Sequence, residues 1–173
     1  MPTPRRRSCE HAIILGLLAL GACQPAPPSE AASSPNELSG AWSLVAVDPG
    51  GGAPVIAPSQ PGLYIFTDTH YSGVFAPGPE PRVGSAVSFQ PTEEEIIAQY
   101  QTIIVNTGTY EVDGSTITFR PMLAKSPEFV GGHQTSTFRI QSDTLVLSEQ
   151  ATLASDGSSP PQAGGTLTLV RVE

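Results

Sequence analysis

From residue 40 onward the chain reads as short runs in which apolar and polar residues alternate, separated by clusters of glycine, proline, aspartate and asparagine. Alternation with a period of two puts successive side chains on opposite faces of an extended strand. The first run, 40–47, stops at Asp48-Pro49-Gly50-Gly51-Gly52, a breaker that cannot continue a strand. Runs 62–66 and 71–75 flank the polar Thr67-Asp68-Thr69-His70 as the arms of a hairpin. Runs 107–112 and 115–120 meet at Asp113-Gly114, a dipeptide that accepts the positive φ of a tight turn. Runs 135–140 and 144–147 pair across Gln141-Ser142-Asp143, and 165–172 supplies an eighth strand.

The alternation also assigns faces. Ile117 and Phe119 oppose Thr116, Thr118 and Arg120; Phe138 and Ile140 oppose Thr137 and Arg139; Leu167, Leu169 and Arg171 share one side of the last run. Eight meandering antiparallel strands leave two exposed edges unless the sheet closes on itself. The expectation is an all-β, eight-stranded up-and-down antiparallel barrel. At this strand number, the interior is either filled by side chains or holds one small ligand.

One segment departs from the period of two. Thr92-Glu93-Glu94-Glu95 has the form of a capping box, in which the Thr92 hydroxyl meets the Glu95 amide and the Glu95 carboxylate reaches back. Ile96, Ile97, Tyr100, Ile103 and Ile104 then recur at helical spacing, and Asn106 and Gly108 end the pattern. This predicts one α-helix between strands 3 and 4, with an apolar stripe lying against the barrel or across a mouth. Cap and helix dipole account for the three acids, so no metal site or cofactor is assigned to them.

Ahead of the strands, Arg5, Arg6 and Arg7 precede an uncharged, mostly apolar run, 12–22. That order is the pattern of a signal peptide, and the run is shorter than the roughly 20 apolar residues a membrane span needs. Leu20-Gly21-Ala22-Cys23 resembles the lipobox of bacterial lipoproteins, which implies cleavage before Cys23 and acylation of its thiol with chains such as palmitate. Only Cys9 and Cys23 occur, and Cys9 falls in the segment to be removed. No internal disulfide is therefore expected after processing. Gln24, where an aspartate is absent, resembles lipoproteins sorted to the outer membrane. Residues 24–37 carry four prolines and many small residues. They form a tether able to hold the barrel about 40 Å from the bilayer at roughly 3 Å per residue. The expected organisation is a signal peptide over 1–22, lipidated Cys23 and tether over 23–37, and the barrel over 38–173, in the periplasm.

Charge narrows the partners. Without Arg5, Arg6, Arg7 and Glu10, the 8 basic and 16 acidic residues become five and fifteen, a formal charge near −10. A chain so acidic is not built for nucleic acid or for anionic headgroups, and solubility explains the balance.

Five segments together carry a family resemblance: Leu38-Ser39-Gly40-Ala41-Trp42-Ser43-Leu44-Val45; Gly62-Leu63-Tyr64-Ile65-Phe66-Thr67-Asp68 with Tyr71-Ser72; Pro91-Thr92-Glu93-Glu94-Glu95-Ile96; Gly108-Thr109-Tyr110-Glu111-Val112; and Leu169-Val170-Arg171. In their order and spacing, residues 38–171 resemble the bacterial lipocalin-like domain family. The resemblance implies an up-and-down barrel with a helix between strands 3 and 4. It also gives Gly40, Trp42 and Arg171 a structural role, the arginine stacking on the tryptophan at the closed end. Two departures, Asp68-Thr69 in place of aspartate-glycine and the stiff Pro77-Gly78-Pro79-Glu80-Pro81, bear on the shape of a ligand mouth.

Three functions follow as expectations. The first is binding of a small hydrophobic or amphipathic ligand, with Tyr64, Phe66, Tyr71, Phe75, Tyr110, Phe119 and Phe138 as candidate walls or core filler. The second is a protein-interaction or inhibitor role through the loops 76–82 and 121–133. The third is an enzyme acting within the barrel. No catalytic residue is assigned, because His70 and His133 stand in no nucleophile or zinc motif.

Overall fold

The computed structural model describes residues 35–161 and 164–173. Eight strands run in chain order: β1 Gly40–Asp48, β2 Gly62–Phe66, β3 His70–Phe75, β4 Ile104–Asp113, β5 Thr116–Ala124, β6 His133–Gln141, β7 Thr144–Leu153 and β8 Thr166–Arg171. Each pairs antiparallel with the next, and β1 pairs with β8 from Trp42↔Arg171 to Asp48↔Thr166, closing the barrel. Closure removes the edges that an open meander would expose. A helical turn, α1 Pro35–Leu38, precedes β1, and the helix α2 Glu93–Gln101 lies between β3 and β4. The last residues of the expected tether thus join the fold, with Leu38 fully buried. Residues 1–34, including Cys23, the lipobox-like stretch and most of the tether, lie outside the described residues.

Three boundaries differ from the sequence reading. Helix α2 ends at Gln101, and Ile104 opens β4 instead of continuing the helix. Gly73, Val74 and Phe75 pair with Asn106, Val105 and Ile104, so a longer helix would strip β3 of its partner. The β-branched Ile104 and Val105 also suit a strand. Strand β5 continues through Pro121 to Ala124, which reduces the expected 121–133 connection to residues 125–132. Pro121 is accommodated opposite Gly108, where the β4–β5 register shifts at a bulge. Strand β7 runs on to Leu153.

Alternate connections fall at opposite ends. The β2–β3, β4–β5 and β6–β7 turns are tight, with Gly114 (φ 59) and Ser142 (φ 54) in the left-handed region. The other four connections are long and surround the open end. Asp68-Thr69 belongs to a closed-end turn, so that departure does not shape the mouth; residues 76–81 do lie on the open side. At the closed end Trp42 is fully buried and its Nε1 donates to the Leu38 carbonyl at 2.7 Å. Gly40 there has φ 125, and a Cβ on it would run into the Glu173 carbonyl.

Helix α2 is capped as the sequence predicts: Glu95 N–H donates to Thr92 Oγ1 at 3.3 Å, and Thr92 N–H donates to Glu95 Oε2 at 2.8 Å. Its apolar stripe does not pack on the barrel. None of its residues is buried, and Ile96, Ile97 and Tyr100 stay about half exposed. With Ile103 and Ile104 outside the helix, too short a stripe remains to drive burial, and polar contacts hold α2 instead. Arg82 Nη2 donates to the Gln99 carbonyl, Gln99 Nε2 to Ser85 Oγ, and the Tyr100 hydroxyl to the Lys125 carbonyl at 2.9 Å.

Candidate functional site

Inward positions form two regions along the barrel axis. Toward the closed end, Trp42, Phe66, Tyr110, Ile117, Phe138, Leu145 and Leu169 are each no more than 5 % exposed and fill the interior. The Phe66 ring meets Tyr110 edge-on at 5.5 Å and lies 6.3 Å from Phe119. Toward the open end, Gly62 and Gly73 supply no side chain. A Cβ on Gly62 would collide with Phe75, and one on Gly73 would stand 2.6 Å from the Tyr64 ring. These two glycines let the Tyr64 and Phe75 rings turn inward, 5.7 Å apart between centroids.

Above the packed region lies a cavity of about 320 Å³. Its apolar lining is Val47, Tyr64, Phe75, Ile104, Phe119, Leu147 and Leu167; its polar lining includes Asn106, Gln134, Ser136 and Glu149, with Asp48 at the open end of β1. The volume falls at the lower end of the range of about 300–1,000 Å³ usual for ligand pockets, and the mix of apolar walls with a few polar groups is the usual composition.

The polar lining is organised by hydrogen bonds. The Tyr71 hydroxyl donates to Asn106 Oδ1 at 2.8 Å, which leaves the Asn106 amide nitrogen for other partners. Gln134 Nε2 donates to Ser136 Oγ at 3.4 Å, and Thr152 Oγ1 to Glu149 Oε1 at 2.6 Å. Glu149 pairs across the sheet with buried Ser136, which places both on the inner face. Burial, and secondarily the charge of Glu149, holds the Tyr64 phenol well above the usual tyrosine range. Burial, then the neighbouring Tyr64, does the same for Tyr71.

Of the seven candidate wall residues, Tyr64, Phe75 and Phe119 line the cavity. Phe66, Tyr71, Tyr110 and Phe138 are buried in the packing around and beneath it. Tyr71 meets the Phe119 ring edge-on at 4.7 Å, and the Tyr110 hydroxyl points to the closed end, donating to the Thr67 carbonyl at 2.6 Å. Gly40, Trp42 and Arg171 gather at the closed end, away from the cavity. Neither His70, whose Nδ1 lies 2.8 Å from Thr69 Oγ1, nor His133 lines the cavity. Asn106, Gln134, Ser136 and Glu149 were not among the sequence candidates. The signal for three of them was present: Gln134 and Ser136 precede Phe138 at steps of two, and Glu149 follows Leu147 by two. Alternation marks a face whatever the polarity of its residues.

A closed antiparallel barrel, plugged at one end and hollow beneath the other, defines a container class of protein. The chain belongs to the lipocalin-like domain family, which matches residues 39–172. No curated protein and no solved structure matches it.

Proposed function

We propose that this protein is a lipid-anchored protein of the bacterial cell envelope whose barrel binds a small amphipathic molecule. The cavity carries the binding half of this reading: about 320 Å³ of space, lined by both aromatic and hydrogen-bonding side chains, below a mouth formed by long loops. The anchoring half rests on Arg5-Arg6-Arg7, the apolar run 12–22 and Leu20-Gly21-Ala22-Cys23. Gln24 favours the outer membrane, with the barrel in the periplasm on its tether. Stable attachment needs more than one acyl chain, which acylation at an N-terminal cysteine supplies. Binding without chemistry is the activity proposed; both barrel histidines lie away from the cavity, and the carboxylates that line it, Glu149 and Asp48, are read as ligand contacts.

Native mass spectrometry of the barrel from its own host, before and after organic extraction, tests the reading. A discrete added mass that extraction removes is the expected result. A bare polypeptide mass at both stages counts against a resident ligand. It would shift weight to a second reading, docking of a protein partner through the open-end loops. One observation favours that alternative: Phe89, in the β3–β4 connection, is fully exposed with φ 61, a backbone conformation costly for a bulky residue.

A further inference from the structure

We infer that the ligand carries a cationic nitrogen, a protonated amine on a compact apolar body, seated against Glu149. The inference deepens the container reading above and rests on it. Two carboxylates, Glu149 and Asp48, line the cavity, and among the described residues no arginine or lysine does. Every basic side chain of the barrel is occupied elsewhere. Arg82 binds Thr102 and Gln99, Arg120 pairs with Glu111, Lys125 sits over the Tyr100 ring, Arg139 binds Gln141, and Arg171 covers Trp42. Arg120–Glu111 is the only ion pair among the described residues.

Glu149 is therefore a carboxylate turned into a barrel in which no counter-charge stands among the described residues. It accepts from the Thr152 hydroxyl on one oxygen. Glu149 is half-buried, and a carboxylate facing a cavity attracts an opposite charge that arrives with good geometry. The rest of the lining suits the same visitor, because it includes the aromatic residues Tyr64, Phe75 and Phe119, and an aromatic ring attracts a cation to its face. A carboxylate ligand, by contrast, would enter a cavity holding two negative charges and no positive one. Long chains are disfavoured by the modest volume. The chemistry selects a small aromatic or short aliphatic amine and rejects a fatty acid.

The test uses residues 31–173. Every described strand and every core residue lies at Leu38 or beyond, so this piece keeps all the contacts that close and fill the barrel. Calorimetric titrations compare 2-phenylethylamine, 2-phenylethanol and 3-phenylpropionate, probes of similar body and different head group, on the wild type and on Glu149→Gln. The amine is expected to bind at least tenfold tighter than the alcohol, with the carboxylate weakest. In Glu149→Gln that preference should vanish. Equal or tighter binding of the alcohol or the carboxylate by the wild type overturns the inference and leaves the container reading standing. An amine preference that survives in a folded Glu149→Gln overturns the assignment to Glu149. No binding of any probe at millimolar concentration overturns the inference together with the container reading. The wild-type comparison decides whether or not the variant folds.

Discussion

Arg171 holds its guanidinium carbon 4.0 Å from the centre of the Trp42 ring, while Nη1 donates to the Ser39 carbonyl and Nη2 to the Glu37 carbonyl, each at 2.7 Å. One side chain of β8 thereby clamps the start of β1 and the turn before it. Arg171→Met removes the cation–π contact and both hydrogen bonds, a loss of about 2–3 kcal/mol. Arg171→Lys should recover less than half of it, because an ammonium cannot span two carbonyls as a planar fork does. Urea unfolding followed by the fluorescence of Trp42, the chain's single tryptophan, measures both. An unchanged midpoint in Arg171→Met would show that the clamp contributes nothing.

Gly73 makes room for Tyr64. A Cβ at that position meets Cε1 at 2.6 Å and Cζ at 2.7 Å of the same ring. Gly73→Ala should cost about 1–3 kcal/mol through overpacking. In a Tyr64→Ala background the same substitution should cost less than about 0.5 kcal/mol, because the obstructing ring is gone. A double-mutant cycle in urea reports the coupling, and simple additivity would mean that the ring does not depend on the glycine.

Raised phenol pKa values give the barrel an alkaline limit. In the unfolded chain Tyr64 and Tyr71 lose their protons near the ordinary value of about 10. In the fold, burial keeps both protonated well beyond that. Below pH 10 neither state ionises and the two residues leave stability unchanged. Above it, the unfolded state binds fewer protons than the native one, so stability falls as pH rises toward the folded pKa values. Tyrosinate absorbance should show a late component that appears together with loss of native near-ultraviolet circular dichroism. Tyr64→Phe should diminish that component. Ordinary titration of every tyrosine in the native protein would contradict this account.

Cys23 carries the membrane attachment in the proposed function. Cys23→Ser should abolish incorporation of labelled palmitate and move the protein from the detergent phase to the aqueous phase on phase separation, with the barrel's circular dichroism unchanged. A Cys23→Ser protein that still partitions into detergent would sink the lipoprotein reading.

Much of the architecture was legible before any tertiary contact was known. Short runs bounded by turn signals marked all eight strands, Asp113-Gly114 marked a tight hairpin, and Thr92 with Glu95 marked the helix start. These signals are local: side-chain period, turn chemistry and capping act over a few residues and need no distant partner. The helix end was not legible, because Ile103 and Ile104 fit the helical stripe equally well until β3 claims Ile104 as the partner of Phe75.

By itself the sequence determined that the chain makes a meander of strands whose apolar faces demand closure, and that one helix interrupts it. Only the tertiary structure decided which inward residues fill the barrel and which border empty space. Phe66 and Tyr64 look alike in the alternation of β2, yet Phe66 is packed between Tyr110 and Phe119 while Tyr64 leans over Gly73 into the cavity. The same holds for Glu149, whose step of two from Leu147 names its face but not its surroundings. Whether that carboxylate meets an arginine, solvent or an uncompensated hollow depends on what seven other strands bring to the same height of the barrel. That is a property of the closed register, and alternation along one strand cannot report it.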